Sequence, residues 1–277
     1  MKKLEIVLFL FLITTSANTF AQELNTPGVN SRLYLGTSDN QPLIVGFGGS
    51  EGGNAWASNY WKPTRDQFIA KGYAFLALGY FGCKGAPDTL DRIAIDQVHN
   101  AILEAAKNPK INRRKIAIIG GSRGGDIALL IGSYYPDIKC VVAIVPSHVA
   151  FPGHTANLST SAWTYQGKEL PFVPVNEEAV PFLMQHNLRG AFETMLKDTV
   201  AEQKALIKVE NINGPILFLS ATKDEICPST LMSDRMTARL KTYHFKYHNE
   251  HLVIAGSHSE PLKHFDAVFA FLDKHFK

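Results

Sequence analysis

Between Lys115 and Asp126 the chain reads Lys-Ile-Ala-Ile-Ile-Gly-Gly-Ser-Arg-Gly-Gly-Asp, and no other stretch limits its fold as strongly. Ile116 to Gly120 are apolar or small, the pattern of a strand buried on both faces. Gly120-Gly-Ser122-Arg-Gly124 follows as a G-x-S-x-G turn, and Asp126-Ile-Ala-Leu-Leu-Ile-Gly132 opens an apolar helix. A serine at such a strand–helix turn takes φ above zero, so its neighbours two before and two after must lack side chains. Gly120 and Gly124 meet that demand. The plainer reading is a glycine-rich joint with an idle serine; flanks this clean favour a nucleophile at Ser122.

The rest of the chain supplies a setting for that turn. Strands are expected at Ser31–Gly36, Pro42–Phe47, Tyr73–Leu78, Cys140–Val145, Pro215–Ser220 and Glu250–Ile254. Helices are expected at Pro63–Lys71, Asp91–Lys107, Gly190–Leu206, Thr230–Lys241 and from Pro261 to the end. Alternation of this kind implies an α/β fold, a mostly parallel sheet with helices on both faces. Residues 147–181 have little periodicity and many Pro, Gly and aromatic residues. They are too many for an ordinary connection and read as a lid-like insertion.

Met1-Lys-Lys-Leu-Glu5 is a basic start, Ile6 to Ile13 is unbroken apolar sequence, and Thr14 to Ala21 is small and polar. This is the pattern of a signal peptide over 1–21, cleaved after Ala21. The apolar run is too short to span a bilayer, and no cysteine follows it to carry a lipid, so no stable membrane anchor is expected. Residues 22–277, about 255 in number, suit one domain, exported to the periplasm or beyond. Loss of Lys2, Lys3 and Glu5 with the leader takes the formal net charge from +3 to +2. With no basic block interleaved with aromatics, nucleic acid is not an implied partner. Three cysteines, Cys83, Cys140 and Cys227, leave at least one thiol unpaired.

A serine hydroxyl needs a base to take its proton and a carboxylate to orient that base. In a sheet of this kind the partners follow the serine in the order acid, then histidine, at the carboxyl ends of later strands. The loop after Ser220 offers Asp224 and Glu225, with Asp224 the preferred acid. The loop after Ile254 offers His258. Its rivals sit less well: His251 falls inside a strand, His244, His248 and His264 lie away from a loop tip, and His148 and His154 belong to the insertion. The oxyanion hole needs backbone N–H groups. One is that of Arg123; the other comes from Gly49, Ser50 or Glu51 in the glycine-rich loop after Phe47, with Ser50 preferred. No His, Cys and Asp cluster has metal-ligand spacing, so no metal and no cofactor are expected.

Phe47-Gly-Gly-Ser-x-Gly-Gly53, Leu78-Gly-Tyr-Phe81, Gly120-Gly-Ser-Arg-Gly-Gly125, Val145-Pro-Ser147, Tyr165-Gln-Gly-Lys-Glu-Leu-Pro171 and Ala255-Gly-Ser-His258 together resemble one family. It is that of the acyl-CoA thioesterases and bile acid-CoA:amino acid N-acyltransferases, in its C-terminal domain, and the likeness runs from about Arg32. The resemblance implies an α/β-hydrolase fold, acyl transfer from a thioester to water or an amine, and Ser122, Asp224 and His258 as the triad. Full-length members carry a β-sandwich domain before the hydrolase domain, for which this chain has no room, and the leader directs it where CoA is not expected. Arg123 and Lys168 are the basic residues placed to meet phosphates of a CoA-like leaving group, against the plainer role of solvated charges. The sheet order of such a fold keeps the strands before Cys83 and Cys227 four steps apart, roughly 19 Å, too far for a disulfide.

The expectation is a serine hydrolase acting on a small-molecule acyl ester or thioester without a cofactor. Phe151, Trp163, Tyr165 and Phe172 in the insertion are the candidate lining of an acyl pocket. Acyl transfer to an amine and aminoacyl or peptide hydrolysis use the same triad. The alternative from another class is an exported binding protein without activity.

Overall fold

The computed structural model describes residues 20–277, so the expected leader lies outside the described residues except for Phe20 and Ala21. Those two begin β1 (Phe20–Leu24), which the sequence did not announce. In chain order there follow β2 (Asn30–Leu35), β3 (Gln41–Phe47), α1 (Lys62–Ala70), β4 (Ala74–Gly79), β5 (Ile93–Ala94) and α2 (Ile95–Ala106). Next come β6 (Ile111–Gly121), α3 (Arg123–Tyr134), β7 (Ile138–Ile144), β8 (Trp163–Tyr165) and β9 (Lys168–Glu169). The remainder holds α4 (Val180–Met184), α5 (Leu188–Met195), α6 (Thr199–Ala205), β10 (Ile216–Ala221), α7 (Ser229–Thr242), β11 (Asn249–Ile254) and α8 (Phe265–His275).

Eight strands form one sheet in the order β1-β2-β4-β3-β6-β7-β10-β11. The pairings of β2 with β1 and β4 are antiparallel and the rest are parallel, as the alternating pattern demands. The inner strands are covered on both faces, which is why Ile116 to Gly120 and Ile216 to Ala221 are buried at every position. Apolar residues of α2, α3 and α7 pack on one face, and those of α1 and α8 on the other. Three strands stand between β4 and β10, and Cys83, Cys140 and Cys227 are all free thiols.

Two helices differ from expectation. The helix expected from Asp91 starts at Ile95, because Ile93 and Ala94 pair with β8 instead. The helix expected over Gly190–Leu206 breaks into α5 and α6, and the Asp198 side chain caps the second by accepting the Val200 and Ala201 N–H groups. The insertion therefore reaches beyond residue 181. From Ser147 to Leu206 it forms a cap whose own apolar cluster includes Val149, Phe151, Ala191 and Met195, and this cluster also takes in Cys227 and Met232 of the sheet domain.

Candidate active site

Ser122 lies between β6 and α3 with φ 54° and ψ −124°. For a residue with a side chain this conformation is strained and persists only where the surroundings impose it. They do: the Ser122 N–H donates to the Ile144 carbonyl at 2.8 Å, and the Ser122 carbonyl accepts the Gly125 N–H at 2.8 Å. A Cβ at Gly120 would run into the Gly124 carbonyl, and one at Gly124 into the Gly48 carbonyl. The two glycines are thus required by close backbone approach around the turn.

Asp224 and His258 come from the loops after β10 and β11, parallel neighbours at the same end of the sheet. The His258 Nδ1 lies 2.8 Å from the Asp224 Oδ1. The Asp224 side chain is wholly buried and also accepts the Ile226 and Cys227 N–H groups and the Ser229 hydroxyl. Burial alone would raise this carboxyl; the hydrogen bonds from His258, Cys227 and Ser229 outweigh it and hold Asp224 below the ordinary carboxylate range. An ionised acid only accepts, so Nδ1 donates and Nε2 is left as the acceptor. Glu225 accepts the backbone N–H of His258 at 3.0 Å and holds the loop rather than the ring. His251 is engaged elsewhere, between Ser220 and Asp234.

Ser122 and His258 face one cavity. No hydrogen bond joins their side chains among the described residues; such contacts are often long without substrate and tighten when it binds. Among the described residues the Arg123 and Ser50 amides find no acceptor, whereas the Gly49 amide donates to the Glu51 carboxylate at 3.0 Å. Of the loop candidates, Gly49 is thereby spent; Ser50 and Glu51 keep free amides, and Ser50 is the one that lines both chambers together with Ser122.

Two chambers meet at Ser50 and Ser122. The first, about 270 Å³, runs under the cap between Phe151, Val175, Leu183, Phe192 and Met195, with Arg123 and Asp126 in its wall. The second, about 330 Å³, lies on the His258 side and is lined by Glu51, Trp56, Trp61, Leu262 and Phe265. Of the aromatic residues expected to line an acyl pocket, only Phe151 lines either chamber. Trp163 is fully buried against Tyr80, because β8 turns it into the core beside the main sheet. Tyr165 packs tilted against Tyr134 and edge-on to Tyr135. Phe172 packs at the edge of the main core, and Lys168 is exposed on β9, away from both chambers. The residues missed, Phe192 and Met195, sit on α5 at a helical spacing that the sequence carries.

Asp126 is a further residue whose placement the sequence left unread. It is buried, its Oδ1 accepts the Ser147 N–H at 2.7 Å, and its Oδ2 lies 3.5 Å from the Arg123 Nη1. Burial pushes its carboxyl up to about 6, against the pull of Arg123. The fold brings together one grouping that the spacing along the chain did not suggest. Ligand atoms of Asp224, Cys227 and His258 lie within 4.8 Å of one another, a closeness that spacing along the chain cannot reveal. The donor set fits a metal poorly. Burial pushes the Cys227 thiol well above its ordinary range, so it stays protonated, and the His258 Nδ1 proton is committed to Asp224.

Residues 95–261 match the family model described as "BAAT / Acyl-CoA thioester hydrolase C terminal". Among curated proteins, the acyl-coenzyme A amino acid N-acyltransferase 1 of Mus musculus is 28% identical over 172 residues, 62% of this chain and 38% of that protein. The acyl-coenzyme A thioesterase 1 of Rattus norvegicus is 26% identical over 173 residues, 62% of this chain and 39% of that protein. The chain thus aligns with about two fifths of the length of these relatives. Among solved structures, a Pyrococcus furiosus esterase superposes with a TM-score of 0.61 at 15% identity, over 95% of this chain and 94% of the other. The acylaminoacyl peptidase of Pyrococcus horikoshii gives 0.65 at 13% identity, over 94% of this chain and 42% of the other. The fold is that of the α/β hydrolases.

Proposed function

Because the chain belongs to the BAAT / acyl-CoA thioester hydrolase C-terminal family, we propose that it is a serine hydrolase that cleaves an acyl ester or thioester. The observation that carries this reading is the strained Ser122 turn, which opens onto two free backbone amides and the same cavity as His258. The Ser122 oxygen attacks the acyl carbonyl while the His258 Nε2 takes its proton. Asp224 holds the imidazole by Nδ1 and stabilises the imidazolium. The Arg123 and Ser50 N–H groups receive the charge that develops on the carbonyl oxygen. Collapse leaves the acyl group on Ser122, and His258 returns its proton to the departing alcohol or thiol. Water then attacks the acyl-enzyme with His258 again as base, releasing the acid and freeing Ser122.

The first chamber takes the acyl chain, and the second takes the leaving group. Among the described residues no lysine or arginine lines the second chamber, and its charged or titratable residues are Glu51 and His258. This favours a leaving group other than a nucleotide phosphate. The leader read over Met1 to Ala21 supports the same view, since it implies work outside the cytoplasm. A second reading, acyl transfer to an amine, is favoured by the N-acyltransferase among the relatives; an amine seated in the second chamber would take the place of water. A fold kept for binding alone would not require the strained serine. Turnover of p-nitrophenyl esters, acyl-CoAs and aminoacyl anilides, measured side by side, tests the proposal. Release from simple esters is expected, and failure of all three classes contradicts it.

A further inference from the structure

Arg123 and Asp126 stand one turn apart on α3, in the wall of a chamber that is otherwise largely apolar. Each spends part of its capacity on the cap. The Arg123 Nη2 donates to the Pro152 carbonyl at 3.2 Å, and the Asp126 Oδ1 accepts the Ser147 N–H at 2.7 Å. The Arg123 Nη1 is sealed from solvent and faces the Asp126 Oδ2 at 3.5 Å without a hydrogen bond. That leaves the Arg123 Nε–H as a donor and the Asp126 Oδ2 as an acceptor, neither hydrogen-bonded and neither sealed off as Nη1 is. Anchoring of the cap accounts for one nitrogen and one oxygen; it does not account for an open donor and an open acceptor on two residues of the same chamber wall.

We propose that this pair recognises a hydroxyl group on the acyl chain, so that the substrate is a hydroxylated acyl ester or thioester; the proposal rests on the hydrolase reading above. A hydroxyl donates and accepts at once, which is what the two open atoms require: its proton goes to the Asp126 Oδ2, and its oxygen receives the Arg123 Nε–H. The pair carries one positive and one negative charge at close range. A second carboxylate would face Asp126, and an ammonium would face Arg123. A methyl ether accepts but cannot donate and would leave Oδ2 unpaired. A plain methylene would displace water from both atoms and return nothing, a cost that sites built around a polar group impose on apolar analogues.

The test uses p-nitrophenyl octanoate, its isomers with a hydroxyl walked from C3 to C8, the matching methyl ethers and the ω-carboxy ester. At least one hydroxy isomer is expected to raise kcat/KM on the order of tenfold over the plain ester, with no such gain for its methyl ether. Arg123→Met should collapse the hydroxy-to-plain ratio. The ratio is taken within each protein, so a uniform loss of activity cancels, and if the variant does not fold the wild-type series decides. A plain chain preferred over every hydroxy isomer, or a methyl ether or carboxylate preferred over all of them, overturns the proposal. If no ester is turned over, the hydrolase reading has failed rather than this one. Calorimetric binding of octanamide and its hydroxy isomers to Ser122→Ala protein then decides for the hydroxyl by the same order of preference and against it by equal or weaker binding.

Discussion

Glu225 accepts the backbone N–H of His258 at 3.0 Å, while Asp224 beside it accepts the imidazole Nδ1 at 2.8 Å. Two adjacent carboxylates therefore divide the work. One sets where the loop runs, and the other sets how the ring is turned. The first is exposed and the second is closed off from water, so their removal should have unequal effects.

Asp224→Ala should lower kcat by on the order of 10³ to 10⁴, as loss of the orienting acid does in hydrolases of this type. Glu225→Ala should cost far less, on the order of tenfold, because the ring keeps its acid. Steady-state kinetics on one ester for both variants checks this. Equal losses would mean that Glu225 has a part in orienting the ring.

His258 and His251 part in a similar way. His258→Ala should abolish turnover and also lower the unfolding midpoint, since the buried Asp224 loses the Nδ1 donor and keeps only Ile226, Cys227 and Ser229. His251→Ala should spare kcat but cost on the order of 1 kcal/mol, since the buried Ser220 hydroxyl loses its 2.7 Å partner and keeps Thr230 at 3.1 Å. Urea denaturation beside kinetics separates the two effects.

The placement of Ser122, Asp224 and His258 at one end of the sheet was legible in the sequence because each follows a short apolar strand, and parallel strands end on one side. Ser122 needed only its flanking glycines. Asp224 and His258 needed only the alternation that orders the sheet. The first chamber was not legible in the same way. Its wall is made where α5 folds back over the sheet, a tertiary contact; the helical spacing of Phe192 and Met195 marks a shared face but not what that face meets. Trp163 was misread because an aromatic residue in an aperiodic stretch looks free, whereas pairing of β8 with β5 carries it into the core. The break before α6 had a local sign in Asp198, a good helix cap. Asp126 also had one, as a charge in the first turn of an otherwise buried helix.

That difference predicts two kinds of mutant. Phe192→Ala should shift the preferred acyl chain towards longer esters by enlarging the first chamber, with only a modest change in stability. Trp163→Ala should leave chain-length preference unchanged and cost about 3–5 kcal/mol. A chain-length series for each variant, with its denaturation curve, checks both.

Asp126 predicts a pH dependence opposite to that of Asp224. Its carboxyl is pushed from 3.8 up to about 6 in the folded protein, so the folded state holds the proton more tightly. The stability this contributes is complete below about pH 4 and is lost as pH rises through 6, in total on the order of 3 kcal/mol. Asp224 is depressed and works the other way: its contribution is present above the unfolded value and is lost as pH falls. Urea midpoints between pH 4 and 7 should therefore fall more steeply in the wild type than in Asp126→Asn. Parallel curves would contradict this assignment.

The account stands on an activated Ser122, and a fluorophosphonate probe reads that property directly. The native protein, treated with the probe and digested, should carry the label on the peptide containing Ser122, and prior mutation of His258 to Ala should abolish labelling. A native protein that takes no label, or takes it on another residue, would contradict the account.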